Sequence, residues 1–369
     1  MQDFSKRLIE MENYLGRVEL TSDLLSYYSG RKILVTGGAG AIGSNLVIAL
    51  SELVGSEGTI TVLDNLSSLK ENNTWNCPHK ANVLFVEGDI REDGDLKRVF
   101  KENIDLVFHL AAFFANQNSI DYPEMSADVD VLGIIKLLEY SRLANVDRFV
   151  YASSGCAIYG SYPTLPISED FVSMHLTTPY QINKMTGEMY CNFYSHHYGL
   201  DIVNCRFFNS YGPGEIPGQY RNVIPNFIYW AMKQTALPLT GTGEETRDFT
   251  SVFDLVQGLL KGGFDKRAVN ENFNLASGTE TRIVDLIDKV NEVTSNTAGV
   301  MRLKRRKWDT KPRLLASIEK AEKLIGYSPI VEFDAGFQTN VEWFEDNWEM
   351  IEHLADFAPG MSSAVRGKA

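Results

Sequence analysis

Cysteine is scarce in this chain: four residues among 369. Cys77, Cys156, Cys191 and Cys205 are widely spaced and form no Cys-x-x-Cys pair, which excludes the common zinc and dithiol redox motifs. So few cysteines in so long a chain suit a reducing compartment. Long apolar runs are also missing. None reaches the ~18 residues of a membrane span, and the charged segment from Met1 to Glu12 lacks the apolar core of a signal peptide. Positive charge is outweighed, with 35 Lys and Arg against 48 Asp and Glu and a net charge of −13. A nucleic-acid binder usually shows the opposite balance, whereas a small anionic ligand needs only a few well-placed arginines. The expectation is a soluble, cytoplasmic protein with no metal, no nucleic acid and no membrane partner.

What is present suits a large globular chain: 44% hydrophobic and 22% charged residues, ample for a core. Residues 1–29 read as a short helical extension that precedes the first strand. A buried-strand pattern then runs into Gly37-Gly38-Ala39-Gly40-Ala41-Ile42-Gly43 and an apolar helix from Ser44 to Leu53. The glycines fit either Gly38-x-Gly40-x-x-Gly43 or Gly37-x-x-Gly40-x-x-Gly43. In both, glycine lets the turn tighten and lets backbone N–H groups at a helix N-terminus approach a pyrophosphate. The strand Thr59–Leu63 ends at Asp64, about 20 residues after the last glycine, where a carboxylate can bind an adenosine ribose. It would repel a 2′-phosphate, which favours NAD over NADP. Further strands are expected at Asn82–Val86, Leu106–His109, Arg148–Ala152 and Val203–Arg206, with an amphipathic helix over 126–145. His109 reads as a packed strand-end residue.

The organising stretch is Tyr180-Gln181-Ile182-Asn183-Lys184, opened by Thr177-Thr178-Pro179. Tyr180 and Lys184 share one helix face. An ammonium about 5 Å from a phenol, at an effective dielectric near 20, is worth roughly 3 kcal/mol, or about two pKa units. Tyr180 is then expected to serve as a base near neutral pH. Upstream, the strand at 148–152 ends in Ser153-Ser154-Gly155-Cys156-Ala157-Ile158-Tyr159-Gly160.

Together the glycine turn, the serine-rich strand end and the Tyr180/Lys184 pair resemble the extended short-chain dehydrogenase/reductase family, in particular its NAD-dependent nucleotide-sugar epimerase/dehydratase branch, which includes the UDP-glucose 4-epimerases. The resemblance spans roughly residues 30–345. It implies an α/β fold, a Rossmann-type doubly wound parallel sheet with a smaller C-terminal substrate domain. The expected division is a helical extension at 1–29, an NAD-binding domain at 30–206 with return segments near 247–262, a mainly nucleotide-sugar-binding region at 207–350, and a tail at 351–369. The resemblance implies cofactor contacts from Gly37, Gly40, Ala41, Ile42, Gly43, Asp64, Asn65, Asp89, Ile90, Leu110, Ala111 and Ala112, besides Tyr180 and Lys184. Ser154, counted from the strand, fills the slot that steadies the transferred proton; counted back from Tyr159-Gly160, the slot holds Gly155. Asn209, Arg221, Asn222, Arg247 and Arg313 fall in segments resembling the family's substrate contacts. The run Arg302–Lys307 reads as a solvated edge. Asp130 stands where the family usually has asparagine.

The implied chemistry is oxidation of a sugar hydroxyl, with Tyr180 as base and Lys184 stabilising it, through a transient keto sugar. The segment Gly155–Ile158 holds no carboxylate, which argues against a dehydratase or decarboxylase and for C4 epimerisation of a UDP-hexose. Cys156 keeps open a dehydratase, decarboxylase or 3,5-epimerase reading. The last type needs a lysine from the following domain, and 219–226 supplies only Arg221. Readings outside this chemistry are an NAD-binding protein without turnover and a simple NAD-dependent alcohol dehydrogenase. The resemblance also implies a homodimer through the helices at 126–145 and 181–197.

Overall fold

In a computed structural model of the chain, which describes residues 4–18, 20–68, 74–161, 164–355, 357 and 359, seven parallel strands form one sheet. In chain order they are β1 (Lys32–Thr36), β2 (Thr59–Asp64), β3 (Val83–Glu87), β4 (Leu106–His109), β5 (Arg148–Ser154), β6 (Ile202–Phe207) and β11 (Glu271–Leu275). Three two-stranded ribbons supply the others: β7 (Asn209–Tyr211) with β10 (Phe249–Ser251), β9 (Thr246–Arg247) with β12 (Thr281–Arg282), and β8 (Leu237–Thr240) with β13 (Val300–Leu303). The sheet order is β11-β6-β5-β4-β1-β2-β3. Because β1 has β2 on one side and β4 on the other, a crevice opens at the carboxyl ends of these strands. Ile33 lies opposite Ile60 on one side and Leu106 on the other, and all three are fully buried, as a sheet covered on both faces requires.

One face of the sheet is covered by the helices Ala41–Leu53 and Val252–Phe264, and the other by Asp93–Val99, Ile134–Leu143 and Pro179–Tyr198. A separate apolar core joins Val223–Met232, Ile283–Val293, Phe333–Asp346 and Trp348–Leu354. The N-terminal helices Ser5–Leu15 and Ser22–Tyr28 are docked on the first face. Tyr14 donates its hydroxyl hydrogen to Asp254 at 2.7 Å, and the buried Arg7 donates to Asn76 and Ser44, each at 2.8 Å. Most of the tail expected at 351–369 lies outside the described residues. Its first residues are packed rather than loose: Ile351 and Leu354 are buried, and the ring of Phe357 stacks on Tyr229 at 5.5 Å.

Three local expectations need correction. β5 runs two residues further than expected, through Ser153 and Ser154. The stretch 126–145 is not one regular helix, because a π-helical segment, Asp128–Gly133, separates Pro123–Ala127 from Ile134–Leu143. The seventh strand, β11, escaped notice because Asn272 and Asn274 break its apolar run. Asn274 is buried, and its amide donates to the Ile167 carbonyl at 2.9 Å and accepts from the Tyr159 hydroxyl at 2.6 Å, so a residue that reads as loop is a satisfied strand residue.

Helix Pro179–Tyr198 begins as its sequence suggests. Pro179 fills the first turn, the Thr178 hydroxyl caps the Gln181 N–H, and Gly199 ends it in a left-handed conformation. A buried ion pair joins this helix to the sheet. Arg206 donates to both Glu188 oxygens, at 3.0 and 2.8 Å, and to the Tyr159 hydroxyl and the Glu169 carbonyl, both at 3.0 Å. Removing one partner of such a pair strands the other charge. Glu188→Ala is therefore expected to lower unfolding free energy by about 3–5 kcal/mol, measured by urea unfolding. A loss under about 1 kcal/mol would show that the pair does not anchor the helix.

Candidate functional site

A cavity of about 440 Å³ runs along the crevice, with Asp64 and Asp89 at its first end and Trp308 and Lys311 among its other lining residues. At the first end the chain turns from β1 into helix Ala41–Leu53. A Cβ on Gly43 would lie 2.1 Å from the Gly37 carbonyl oxygen, and one on Gly37, whose φ is +72°, would lie 2.6 Å from the Ala111 nitrogen. The close packing of turn, helix and β4 end thus demands glycine at both positions. Gly40 precedes the helix without a side-chain cap, and Ala41, Ile42 and Gly43 line the cavity, so their first-turn N–H groups suit an anion there.

The Asp64 carboxylate accepts from the Ala39 N–H at 2.9 Å and the Leu66 N–H at 2.8 Å, which ties β2 to the glycine turn. Burial raises its pKa despite those bonds. Asn65 donates to Asp89 at 2.8 Å, and Arg91 also grips Asp89, holding its carboxyl down at about 2 through hydrogen bonds that outweigh burial. Ile90, Leu110, Ala111 and Ala112 complete this end. The donor set and the glycine-lined turn fit a dinucleotide with an adenosine ribose at Asp64. His109 accompanies them as a packed residue. It is buried, bonded to the Thr36 hydroxyl at 2.8 Å and stacked on Tyr151, and burial pushes its imidazole down to about 3.

Ser154, Cys156, Tyr180, Lys184 and Asn209 meet in the middle of the cavity. The Lys184 ammonium donates to the Ala152 carbonyl at 2.9 Å and lies 5.8 Å from the centre of the Tyr180 ring and 5.0 Å from that of Tyr151. The expected depression of the Tyr180 pKa is not found. Burial raises it strongly, Asp130 and Cys156 push it further up, and a hydrogen bond from Ser154 draws it down. Lys184 itself is lowered by burial and raised in part by Asp130. Asp130, on the π-helical turn, is buried and accepts from the Phe113 N–H at 2.8 Å and the Ser126 hydroxyl at 3.2 Å. Burial lifts it to about 6. Cys156 keeps its proton, since burial pushes the thiol up to about 11.

The arginines separate. Arg247 lines the cavity and donates to Asp309 at 2.8 Å. Arg221 also lines it, but its guanidinium donates to the Ser68 carbonyl at 2.9 Å and feels the charges of Glu215 and Asp64, so it serves the Asp64 side. Asn222 donates to Glu215 at 2.9 Å, and burial lifts that carboxyl to about 7. Arg313 does not reach the cavity. It is exposed, outside the lining residues, and pairs with Glu280. Arg306, which reads in the sequence as part of a solvated run, lines the cavity instead and lies over the Trp308 ring. Lys311, Trp308 and Gln117 also line it. Trp308 and Lys311 lie in an irregular segment that resembles the family's final substrate-domain stretch without showing which side chains face inward, and Gln117 lies in the short helix Asn116–Asp121. Trp308 donates its indole N–H to Gln117 at 2.9 Å.

Among known proteins, residues 33–276 match the model of the NAD dependent epimerase/dehydratase family. The chain is 51% identical to an epimerase of known structure from the methanogen Methanothermobacter thermautotrophicus, with a TM-score of 0.87 over 91% of this chain and 98% of that one. It is 32% identical to the UDP-glucose 4-epimerase of Thermotoga maritima, solved with UDP-glucose, with a TM-score of 0.79 over 86% and 99% of the two chains. It is also 28% identical, over 346 residues, to the human dTDP-D-glucose 4,6-dehydratase, covering 89% of this chain and 95% of that one.

Asp130→Asn removes a buried negative charge that holds the Tyr180 pKa up. A unit charge at about 10 Å, in an effective dielectric near 20, is worth roughly one pKa unit. The acidic limb of the kcat/KM profile is therefore expected to move to lower pH by about that amount. A profile that stays in place, or moves to higher pH, would contradict the electrostatic account.

Proposed function

The chain belongs to the NAD-dependent epimerase/dehydratase family, and from that premise we propose that it epimerises C4 of a UDP-linked hexose or related sugar. The observation that carries this reading is the buried group of Tyr180, Lys184 and Ser154 beside a turn, Gly155–Ile158, that offers no carboxylate. A dehydratase or decarboxylase needs an acid close to the ring. Among the described residues, the acids lining the cavity are committed elsewhere: Asp309 to Arg247, Glu245 to the Thr242 and Gly243 N–H groups, Glu215 to Asn222, Asp89 to Arg91, and Asp64 to the glycine turn.

In this reading Ala41, Ile42 and Gly43 hold the NAD pyrophosphate, Asp64 binds the adenosine ribose, and Lys184 binds the nicotinamide ribose. When bound, NAD accepts a hydride from the sugar carbon and returns it to the opposite face. Tyr180 takes the proton of the C4 hydroxyl and gives it back after the ring has turned over. Ser154 donates to the phenolate oxygen and orders the sugar hydroxyl. Asn209 steadies the substrate, and Arg247 and Arg306 offer guanidiniums to its diphosphate. In this reading the protonated Cys156 is a small wall residue, and a thiol held protonated speaks against readings that use it as a base.

Incubation with a panel of UDP-sugars, followed by mass spectrometry and proton NMR, is expected to give a product of unchanged mass with an altered H4 coupling and no accumulating NADH. Tyr180→Phe is expected to lower kcat by about 10²–10⁴-fold. Loss of water or carbon dioxide, or net NADH, would overturn C4 epimerisation.

The same reading includes a homodimer. Leu132, Leu143, Ile182, Met189 and Phe193 are exposed apolar residues on the helices of 123–143 and 179–198, a surface that a second copy would cover. Light scattering is expected to give twice the chain mass, and Met189→Glu with Phe193→Asp to give monomer. A monomeric wild-type protein would exclude this assembly.

A further inference from the structure

Lys311 takes no part in the hydride and proton exchange described above, yet it places a cation in the same cavity wall. Its ammonium donates to the backbone carbonyl of Cys156, and among the described residues it forms no ion pair. The one carboxylate beside it, Asp309, is engaged by Arg247 at 2.8 Å. Burial and the nearby Arg247 push Lys311 down to about 8. A cation withdrawn from water without a partner is costly, and such a cost is recovered when a ligand brings the opposite charge.

The position of Lys311 narrows what that charge is. Cys156 lies two residues past Ser154, and its sulfur is close enough to influence Tyr180. The bond from Lys311 to the Cys156 carbonyl therefore sets its ammonium beside the reacting end of the sugar. In a hexopyranose bound with C4 at Tyr180, the carbons beside C4 are C3 and C5, and C5 carries C6. A hydroxymethyl group at C6 offers a buried ammonium only a neutral acceptor. A carboxylate there offers a charge-assisted hydrogen bond and an ion pair together. The substrate diphosphate is attached at C1, across the ring from C4, and in the proposed pose it meets Arg306 and Arg247, the latter reaching toward both Asp309 and the Lys311 carbonyl.

We propose that Lys311 reads a carboxylate at C6 of the sugar, so that the preferred substrates are nucleotide-linked hexuronic acids rather than neutral hexoses. This rests on the C4 reading for the placement of the ring and adds what the ring carries. It makes Lys311 a residue of substrate choice.

The test uses the NAD-loaded protein, titrated calorimetrically with UDP-glucuronate, UDP-glucose and UDP, and assayed for kcat/KM with both sugars. Wild type is expected to bind UDP-glucuronate more tightly than UDP-glucose. Lys311→Met is expected to weaken UDP-glucuronate by about 30-fold or more, the usual consequence of truncating a buried charge pair, while changing UDP-glucose and UDP by less than about threefold. Lys311→Arg should restore most of the preference. A wild-type preference for UDP-glucose would overturn the proposal. So would an equal loss on all three ligands, which would assign Lys311 to the diphosphate, or no loss on any. Because binding is read without turnover, selectivity for the uronate with no epimerisation of either sugar would refute the C4 reading and leave the role of Lys311 supported.

Discussion

The centre of this protein depends on burying a lysine and a tyrosine together with a carboxylate close behind them. Lys184 and Tyr180 are both almost fully buried, and burial alone works against the charged form of each. Asp130 supports the ammonium but opposes the phenolate. An asparagine in its place would give hydrogen bonds without that opposition. Asp130 therefore stabilises the Lys184 ammonium at some cost to the ease of ionising Tyr180. Burial holds Tyr180 high in the free protein, and positive charge arriving at the site, such as the oxidised nicotinamide ring of the cofactor, would ease its ionisation.

That arrangement persists because the helix bearing Tyr180 and Lys184 is fixed at several levels. Its start is set by Thr178 and Pro179, and one turn past Lys184 it is held by Glu188. Arg206 on β6 links Glu188 to Tyr159 and to the Glu169 carbonyl, Ser153 of β5 donates to Glu188, and Tyr159 in turn reaches Asn274 of β11. One hydrogen-bonded network thus ties three adjacent strands and the helix together. A buried ion pair is weak evidence for net stability. Its value here is positional, because the network fixes the register between β5, which carries Ser154, and the helix, which carries the residues that meet it.

What could be read from sequence follows from how local each feature is. The glycine turn, Asp64 and the Tyr180/Lys184 pair are set by spacing within one element or one turn, and each has a steric or electrostatic reason visible in a few residues. The parallel sheet was legible through six apolar strands. β11 was not, because its buried Asn274 is satisfied by the distant Ile167, Ser317 and Tyr159, and its half-buried Asn272 by Asn204. The electrostatics were legible in the identity of the charges and not in their sum: four-residue spacing places Lys184 near Tyr180, but the desolvation that outweighs it depends on everything packed around both. The π-helical turn that swings Asp130 inward also leaves no pattern in an otherwise helical sequence.

The substrate wall was the least legible part, for a geometric reason. Arg247 stands in a two-residue strand, and Arg306, Trp308, Asp309 and Lys311 stand in a segment with no regular structure. In such a segment one residue of slip decides which side chain faces the cavity, and resemblance to a motif cannot count that residue. Arg313 and Arg306 show the consequence, since the arginine that looked like the ligand pairs with Glu280 at the surface while the one in the basic run faces inward. The rigid half of the cavity, built from strand ends and helix starts, holds Tyr180, Lys184 and Ser154, the residues of the proposed reaction. The irregular half can change its charges without disturbing the sheet, so the choice of sugar is expected to reside there.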